Sequence, residues 1–211
     1  MAKRNYYDFP EDFEAVLFEN GLMEDLFYLR DLEQRKLFIS DNITAFSVYP
    51  IVKHILQFNK EDSGIPKDER RPILLYMTSP GGEESAGFSL IDAIQNSETP
   101  VYTINLGTWY SMAFLIGLSG HKRFATQNAK FLLHDGSYFM CDSSTKVQDR
   151  MEFCKKGEER IKQYVLSHSK ISEEEYDSKL RVEWFMFADE AKNNGVIDYI
   201  IGEDCGLDEI V

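Results

Sequence analysis

The sequence Leu74-Leu75-Tyr76-Met77-Thr78-Ser79-Pro80-Gly81-Gly82 predicts a buried strand that ends in a glycine turn. A second apolar run reaches Gly107-Thr108-Trp109-Tyr110-Ser111-Met112, and a helical pattern follows each run. Two such strand–turn–helix units in succession indicate neighbouring parallel strands in an α/β domain. Their turns open at the same edge of a sheet, so we expect a glycine N–H and the Ser111 hydroxyl to face one carbonyl group there.

The remaining pattern extends outward from these two units. Residues 1–34 predict an N-terminal arm without a clear period, and residues 35–211 predict a single domain. Gly107 is expected to end the second strand. Residues 144–168 form the longest helical pattern, and Gly157 within it costs about 1 kcal/mol relative to alanine if the helix is continuous. The other predicted elements are strands at 36–40, 122–125 and 130–133 and helices at 44–58 and 187–194.

The composition is that of a globular protein with a sizeable core, because 43% of its 211 residues are hydrophobic. A formal net charge of −13 argues against nucleic-acid binding, which normally requires a basic face. Three scattered cysteines predict neither a disulfide framework nor zinc, and no histidine pair has the spacing of metal ligands. We expect a cytoplasmic protein, because neither a signal peptide nor a membrane span is predicted. We also expect no cofactor.

Two residues are candidates for nucleophilic catalysis. Ser111 opens a predicted helix, where a serine serves either as a nucleophile activated by a base or, more commonly, as a helix N-cap. His134 ends the predicted strand 130–133 and faces a turn, so it is either a general base or a satisfied, partly buried histidine. The residues alone leave both alternatives open.

The adjacent glycines Gly81 and Gly82 predict a place where the backbone closely approaches a ligand. A phosphate cradle is the weaker interpretation, because the sequence contains neither the Gly-x-Gly-x-x-Gly pattern nor the Walker pattern. A backbone donor for a developing oxyanion is the stronger one.

Five short motifs, spaced in order from about Arg35 to Gly202, together resemble the proteolytic subunit of the Clp protease. They are Ser79-Pro80-Gly81-Gly82, Gly107-x-x-x-Ser111-Met112, Gly120-His121-Lys122-Arg123-Phe124, Leu133-His134 and Ala188-x-Glu190-Ala191-x-x-x-Gly195-x-Ile197-Asp198. The resemblance implies an α/β, crotonase-like spiral of repeated ββα units with a protruding long helix, the handle, at about 144–168. It also implies a Ser-His-Asp peptidase in which Ser111 matches the nucleophile and His134 the base.

The same resemblance matches Gly82 and Met112 to the two backbone donors of the oxyanion hole. The third catalytic position departs from the family, because Glu183 stands where an aspartate is usual. Asp177 and Asp189 are less well placed substitutes. A second departure is Trp109-Tyr110, which precedes Ser111 where the family has small residues.

The activity implied by the resemblance is that of a serine endopeptidase that cleaves polypeptides inside an oligomeric ring chamber. The implied partners are other copies of the chain, in heptameric rings that can stack in pairs, and an AAA+ ATPase unfoldase. Four positions of the family's ATPase-docking surface are apolar here: Tyr76, Ile104, Leu106 and Phe124.

Two other functions remain open. The first is a catalytically impaired paralogue that acts as a structural or regulatory ring subunit, which Glu183 and Trp109-Tyr110 favour. The second is an acyl-CoA enzyme of the crotonase superfamily, which shares the fold but leaves the pairing of Ser111 with His134 unexplained.

Overall fold

The computed structural model describes residues 18–210, except for the side chain of Met23. Its α-helices are α1 Met23–Glu33, α2 Ala45–Glu61, α3 Glu84–Gln95, α4 Met112–Leu118, α5 Ser144–His168, α6 Glu173–Lys179 and α7 Ala188–Asn193. Its strands are β1 Lys36–Ile39, β2 Ile73–Ser79, β3 Val101–Tyr110, β4 Lys122–Thr126, β5 Lys130–Leu133, β6 Trp184–Phe187 and β7 Tyr199–Ile201. Short 3₁₀ turns lie at Lys67–Glu69 and Leu207–Glu209.

The strands form one mixed sheet, which confirms the α/β class. Its main path runs β1-β2-β3-β4-β7, and every pair along this path is parallel. β5 also pairs parallel with β3, and β6 pairs antiparallel with β5. The near-continuous apolar sequence of β2 follows from this arrangement, because a strand within a parallel sheet is buried on both faces.

β3 bends instead of ending at Gly107, so the prediction that this glycine ends the strand is wrong. Tyr102–Asn105 of β3 pair with β4, whereas Thr108–Tyr110 pair with β5. The buried Asn105 side chain spans the bend: its Oδ1 accepts from the Gly107 N–H at 2.9 Å, and its Nδ2 donates to Lys130 O at 3.2 Å. The bend carries β3 onward to Ser111.

The core beneath this bend contains the large side chain of Trp109. The indole is fully buried, donates from Nε1 to Met77 O at 3.2 Å and packs edge-on against Phe131. Gly117 of α4 leaves the space for the ring, because a Cβ at that position would lie 2.2 Å from Trp109 Cε3.

The described part of the predicted N-terminal arm is α1, which follows residues 1–17 that lie outside the described range. Leu26 and Leu32 of α1 are buried, and Leu32 belongs to the main core. The next helix, α2, begins at a complete capping box, because the Thr44 and Ser47 side chains each accept from the other's backbone N–H.

Helix α5 is continuous over 25 residues and therefore about 37 Å long. Gly157 lies within the helix, whose bounds are those predicted from the sequence. Val165, in the last two turns, is the buried residue of this helix, and the first 17 residues project from the domain with mostly exposed side chains. Within residues 18–210, no helix combines the length and the apolar character that a membrane crossing requires.

Two helical glycines allow a matched stability test. Gly117→Ala should lower the free energy of unfolding by about 1–3 kcal/mol, because the added methyl group overpacks the Trp109 ring. Gly157→Ala should raise it by about 1 kcal/mol, because alanine is the better helix former and its Cβ meets only Glu84 Oε1, at 3.6 Å. Urea denaturation of both variants measures the two changes in the free energy of unfolding. If both variants were stabilised, or both destabilised, this account of the packing would be contradicted.

Candidate active site

Ser111 lies at the junction of β3 and α4 in an unusual backbone conformation. Its φ of 54° and ψ of −122° belong to a region that residues with a Cβ rarely adopt. Its N–H donates to Leu132 O of β5 at 2.9 Å, which ties the junction to the neighbouring strand. The hydroxyl makes no capping hydrogen bond, so the interpretation of Ser111 as a side-chain N-cap is wrong. Backbone strain of this kind costs about 1–3 kcal/mol and occurs mainly at functional sites.

The glycine turn after β2 packs directly against this junction. A Cβ on Gly81 would lie 2.7 Å from both Ser111 Cβ and Tyr110 O, and a Cβ on Gly82 would lie 2.2 Å from Ile43 O. Both glycines also have positive φ values, 98° and 150°. The turn therefore requires glycine for two independent reasons, steric and conformational.

Two backbone N–H groups at this junction are available to a ligand. The bridge between Ile43 and the turn uses the Gly81 carbonyl, at 2.8 Å from Ile43 N, and the Glu83 N–H, at 2.7 Å from Ile43 O. Neither bond occupies the N–H of Gly82. The Met112 N–H is at the first position of α4, where a helix supplies no acceptor. These are the two donors that the sequence predicted for an oxyanion.

A cavity of about 650 Å³ brings four of the predicted site residues together: Gly82, Ser111, Met112 and His134. His134 follows the last residue of β5 and is partly buried. Because β5 lies beside the end of β3, with Leu132 opposite Tyr110, His134 reaches the same sheet edge as Ser111. The nucleophile and base candidates thus line one cavity.

The walls of this cavity come from the domain and from the long helix. Leu115, Leu133 and Leu180 contribute apolar surface from the domain, and Ile161 contributes it from α5. Burial raises the pKa of Tyr176, another wall residue, to about 12, so its phenol remains neutral at physiological pH. The cavity therefore combines apolar side chains with polar and charged ones, as is usual for a ligand site.

The bulky pair before Ser111 does not line the cavity. Trp109 is buried in the core, and Tyr110 packs edge-on against Phe185 of β6 with ring centroids 5.8 Å apart. The two rings lie on opposite faces of β3 because side chains alternate along a strand.

The recorded pairing of β5 with β6 ends one residue short of His134 and Glu183, and the structure does not connect their side chains. Leu133 of β5 pairs with Trp184 of β6, so the next antiparallel pair would be His134 with Glu183. Glu183 is nevertheless exposed and is not among the residues lining the cavity, and no hydrogen bond joins it to His134 within residues 18–210. Its expected role as the third catalytic residue therefore stays a prediction.

The two alternative carboxylates differ from Glu183 in their surroundings. The Asp177 carboxylate binds Lys162 at 2.8 Å, and Asp189 lies exposed in the first turn of α7. Neither lines the cavity.

Sequence reasoning missed two residues on which this geometry depends. The backbone N–H and carbonyl of Ile43 form hydrogen bonds with the glycine turn. A pattern of side chains in the sequence does not predict a contact made by backbone atoms. Asn105 is a polar residue inside an apolar strand. Its isolated amide was the feature of the sequence from which the bend in β3 could have been predicted.

Comparison with known proteins identifies the family to which the chain belongs. The Clp protease family profile matches residues 21–204, which is most of the chain. The chain belongs to the Clp protease family. One curated relative, named ATP-dependent Clp protease proteolytic subunit 2, from Treponema pallidum (strain Nichols), is 27% identical over 186 residues, covering 87% of this chain and 90% of the relative.

Family membership confirms the resemblance found in the motifs and the fold class, a crotonase-like α/β spiral from which α5 protrudes. It also supports a peptidase role of the Clp protease type. Of the four apolar positions matched to the family's ATPase-docking surface, Ile104 and Phe124 are buried, whereas Leu106 is exposed and Tyr76 partly exposed.

The strained backbone of Ser111 can be tested by stability. Ser111→Gly should be about 1 kcal/mol more stable than Ser111→Ala, because only glycine adopts φ 54° without strain. Exposed Ser89 in the middle of α3 is the matched control, and there the glycine variant should be the less stable one by about 1 kcal/mol. Urea denaturation of the four variants measures both differences, and equal stability of the two Ser111 variants would refute the strain.

Proposed function

We propose that this protein is a serine endopeptidase in which Ser111 is the nucleophile and His134 the general base. One observation carries the proposal: the strained Ser111, the free N–H groups of Gly82 and Met112, and His134 line the same cavity. Nucleophile, base and oxyanion donors are the three elements that acyl transfer requires.

The chemistry follows from these positions. His134 removes the hydroxyl proton of Ser111 as Oγ attacks the peptide carbonyl. The N–H groups of Gly82 and Met112 donate to the oxyanion of the tetrahedral intermediate, and a donor of this kind contributes roughly 10²–10³ in rate. His134 then protonates the leaving amine, and a water molecule activated by the same imidazole hydrolyses the acyl-enzyme.

Glu183 completes the proposed triad by orienting His134. The register of β5 and β6 supports this assignment, because the pair that would follow Leu133 with Trp184 is His134 with Glu183. A carboxylate at this position accepts from the His134 Nδ1–H, which leaves Nε2 facing Ser111 and stabilises the imidazolium. A side-chain rotation of the exposed Glu183 towards His134 is required, since the two side chains are not joined in this structure.

A catalytically impaired ring subunit is the second candidate function. The exposed position of Glu183, outside the cavity, favours it. The other feature that suggested impairment, the bulky pair Trp109-Tyr110, does not, because neither ring lines the cavity.

We further propose that the chain assembles into rings that stack through α5. The projecting part of this helix exposes Met151 and Phe153, and the preceding loop exposes 94% of Phe139. Apolar side chains on a projecting element mark an interaction surface, because a monomer gains nothing from exposing them. Heptameric rings and an AAA+ ATPase unfoldase remain the assembly and the partner that the family resemblance implies, with exposed Leu106 and partly exposed Tyr76 within reach of a partner.

The nucleophile assignment predicts a complete loss of activity in one variant. Ser111→Ala should abolish both peptide hydrolysis and labelling by a fluorophosphonate probe, because the attacking oxygen is gone. Circular dichroism and sedimentation verify that the variant keeps its fold and assembly. Labelling that persists in Ser111→Ala would assign the nucleophile to a different residue.

The third triad position distinguishes the enzyme from the impaired subunit. Glu183→Gln should reduce the hydrolysis rate by up to about 10⁴ with little change in stability, because the amide favours the wrong histidine tautomer. Glu174→Gln serves as the control, since Glu174 is an exposed glutamate outside the cavity and is not a candidate for the third catalytic position. A rate for Glu183→Gln within a factor of a few of wild type would remove Glu183 from the triad.

Assembly through α5 predicts a particle many times the 24.5 kDa mass of the chain. Phe153→Glu should separate stacked rings, because a charge replaces an aromatic side chain that is 76% exposed in the monomer. Sedimentation velocity measures both species, and the exposed Glu152→Gln on the same helix should leave the wild-type value unchanged. A monomeric wild type that hydrolyses peptides at micromolar concentration would contradict ring assembly.

A further inference from the structure

One face of the sheet carries a row of large apolar side chains that crosses five strands. The strand register places these residues side by side: Phe38, Tyr76, Ile104, Phe124 and Tyr199. Phe38 stacks on Tyr76 and Phe124 stacks on Tyr199, each pair with ring centroids 5.1 Å apart. Side chains alternate along a strand, so the row lies on the face opposite Leu75 and Met77, which belong to the main core with residues of α2, α3 and α4.

The buried centre of this row contains one side chain from outside the strands. Within residues 18–210, the apolar cluster on this face includes no residue of α1–α7, and its buried members are Leu74, Ile104, Phe124, Ile201 and Ile210. Ile210 lies beyond the last strand and is 1% exposed. Parallel sheets are normally covered on both faces. Here Ile210 covers the centre of the row, while Phe38 and Tyr199 at its ends are 50% and 37% exposed.

The segment that carries Ile210 comprises residues 206–210 and is called the strap below. A firm turn precedes it, in which the Gly202 N–H donates to Cys205 O at 2.8 Å. In the described part of the chain, no backbone hydrogen bond joins the strap itself to a strand, and its residues 207–209 are exposed. The position of the strap on the sheet therefore depends mainly on the burial of Ile210, so its opening does not require unfolding of the domain.

The strap covers part of the surface to which the family resemblance assigns an ATPase partner. Tyr76, Ile104 and Phe124 are three of the four apolar positions matched to that surface, and all three lie in the row. Ile104 and Phe124 are buried in the cluster that contains Ile210. A partner that inserts an apolar side chain at the centre of the row therefore meets Ile210 already in place.

We propose that the strap is an autoinhibitory segment. Ile210 occupies the apolar site formed by Leu74, Ile104 and Phe124, and an aliphatic side chain of a partner binds there only after the strap opens. The proposal rests on the proposed ATPase partnership, because it concerns the same surface. Burial of one isoleucine side chain favours the closed strap by a factor of roughly 10–100. The apparent affinity of the partner falls by the same factor, since only the open fraction can bind it.

Thiol labelling measures the opening of the strap directly. The three native cysteines are replaced by alanine, and Ile210→Cys, Leu207→Cys and Ile55→Cys are then made one at a time. Leu207 is exposed within the strap, whereas Ile55 is buried in the main core. Ile210→Cys should react with a maleimide about tenfold more slowly than Leu207→Cys, but at least about a hundredfold faster than Ile55→Cys, which reacts only when the domain unfolds. Equal rates for Ile210→Cys and Ile55→Cys would overturn the displaceable strap.

A competition experiment tests the apolar site that the strap covers. The acetylated peptide Gly-Leu-Asp-Glu-Ile, which has the sequence of the strap, is added at millimolar concentration to Ile210→Cys. Because it captures the open state, it should accelerate labelling by about threefold or more, whereas Gly-Leu-Asp-Glu-Asn should leave the rate unchanged. The same labelling rate with both peptides would contradict the proposed site.

The last comparison separates the strap from the proposed partnership. An AAA+ unfoldase should bind Ile210→Asn about tenfold more tightly than wild type, because the strap no longer competes, and the matched control Leu207→Asn should bind like wild type. Equal affinity for the two variants would overturn autoinhibition. If no unfoldase binds any variant but both labelling results are obtained, the ATPase partnership fails and the displaceable strap stands.

Discussion

The backbone contact of the Gly81-Gly82 turn with two other chain segments is the constraint on which the site depends. The turn bonds to both the N–H and the carbonyl of Ile43, and it approaches Ser111 so closely that a single methyl group would collide. This contact holds the end of β2 against the end of β3. Gly82 and Met112 therefore line the same cavity in the absence of a substrate. The proposed oxyanion donors would then be preorganised, which is what makes such donors effective.

The second requirement is that β3 bends and still continues. Its first half pairs with β4 and its second half with β5, so one strand links the body of the sheet to the strand that carries His134. The buried Asn105 side chain bonds to the Gly107 N–H within β3 and to the Lys130 carbonyl of β5, and Trp109 packs against Gly117. The large side chains before Ser111 thus support the strand instead of blocking the cavity.

Helix α5 participates in two proposed functions at once. Its projecting part exposes apolar residues suited to contact with another subunit, while Glu158 and Ile161 in its second half line the cavity. Ring assembly and the shape of the substrate cavity would then be coupled through one rigid element. Glu183 directly precedes β6, and its side chain is exposed.

The sequence by itself determined the α/β class, the positions of most elements and three residues of the cavity, Gly82, Ser111 and His134, because glycine turns and apolar periodicity are local properties. The motifs also indicated the family. Only the tertiary structure decided that β3 passes through Gly107, that the Ser111 side chain does not cap α4, and that β6 pairs with the strand that precedes His134. It also decided that Glu84 and Glu158, 74 positions apart in the chain, face the same cavity. Each of these depends on strand partners and packing between segments distant in sequence, which no local pattern encodes.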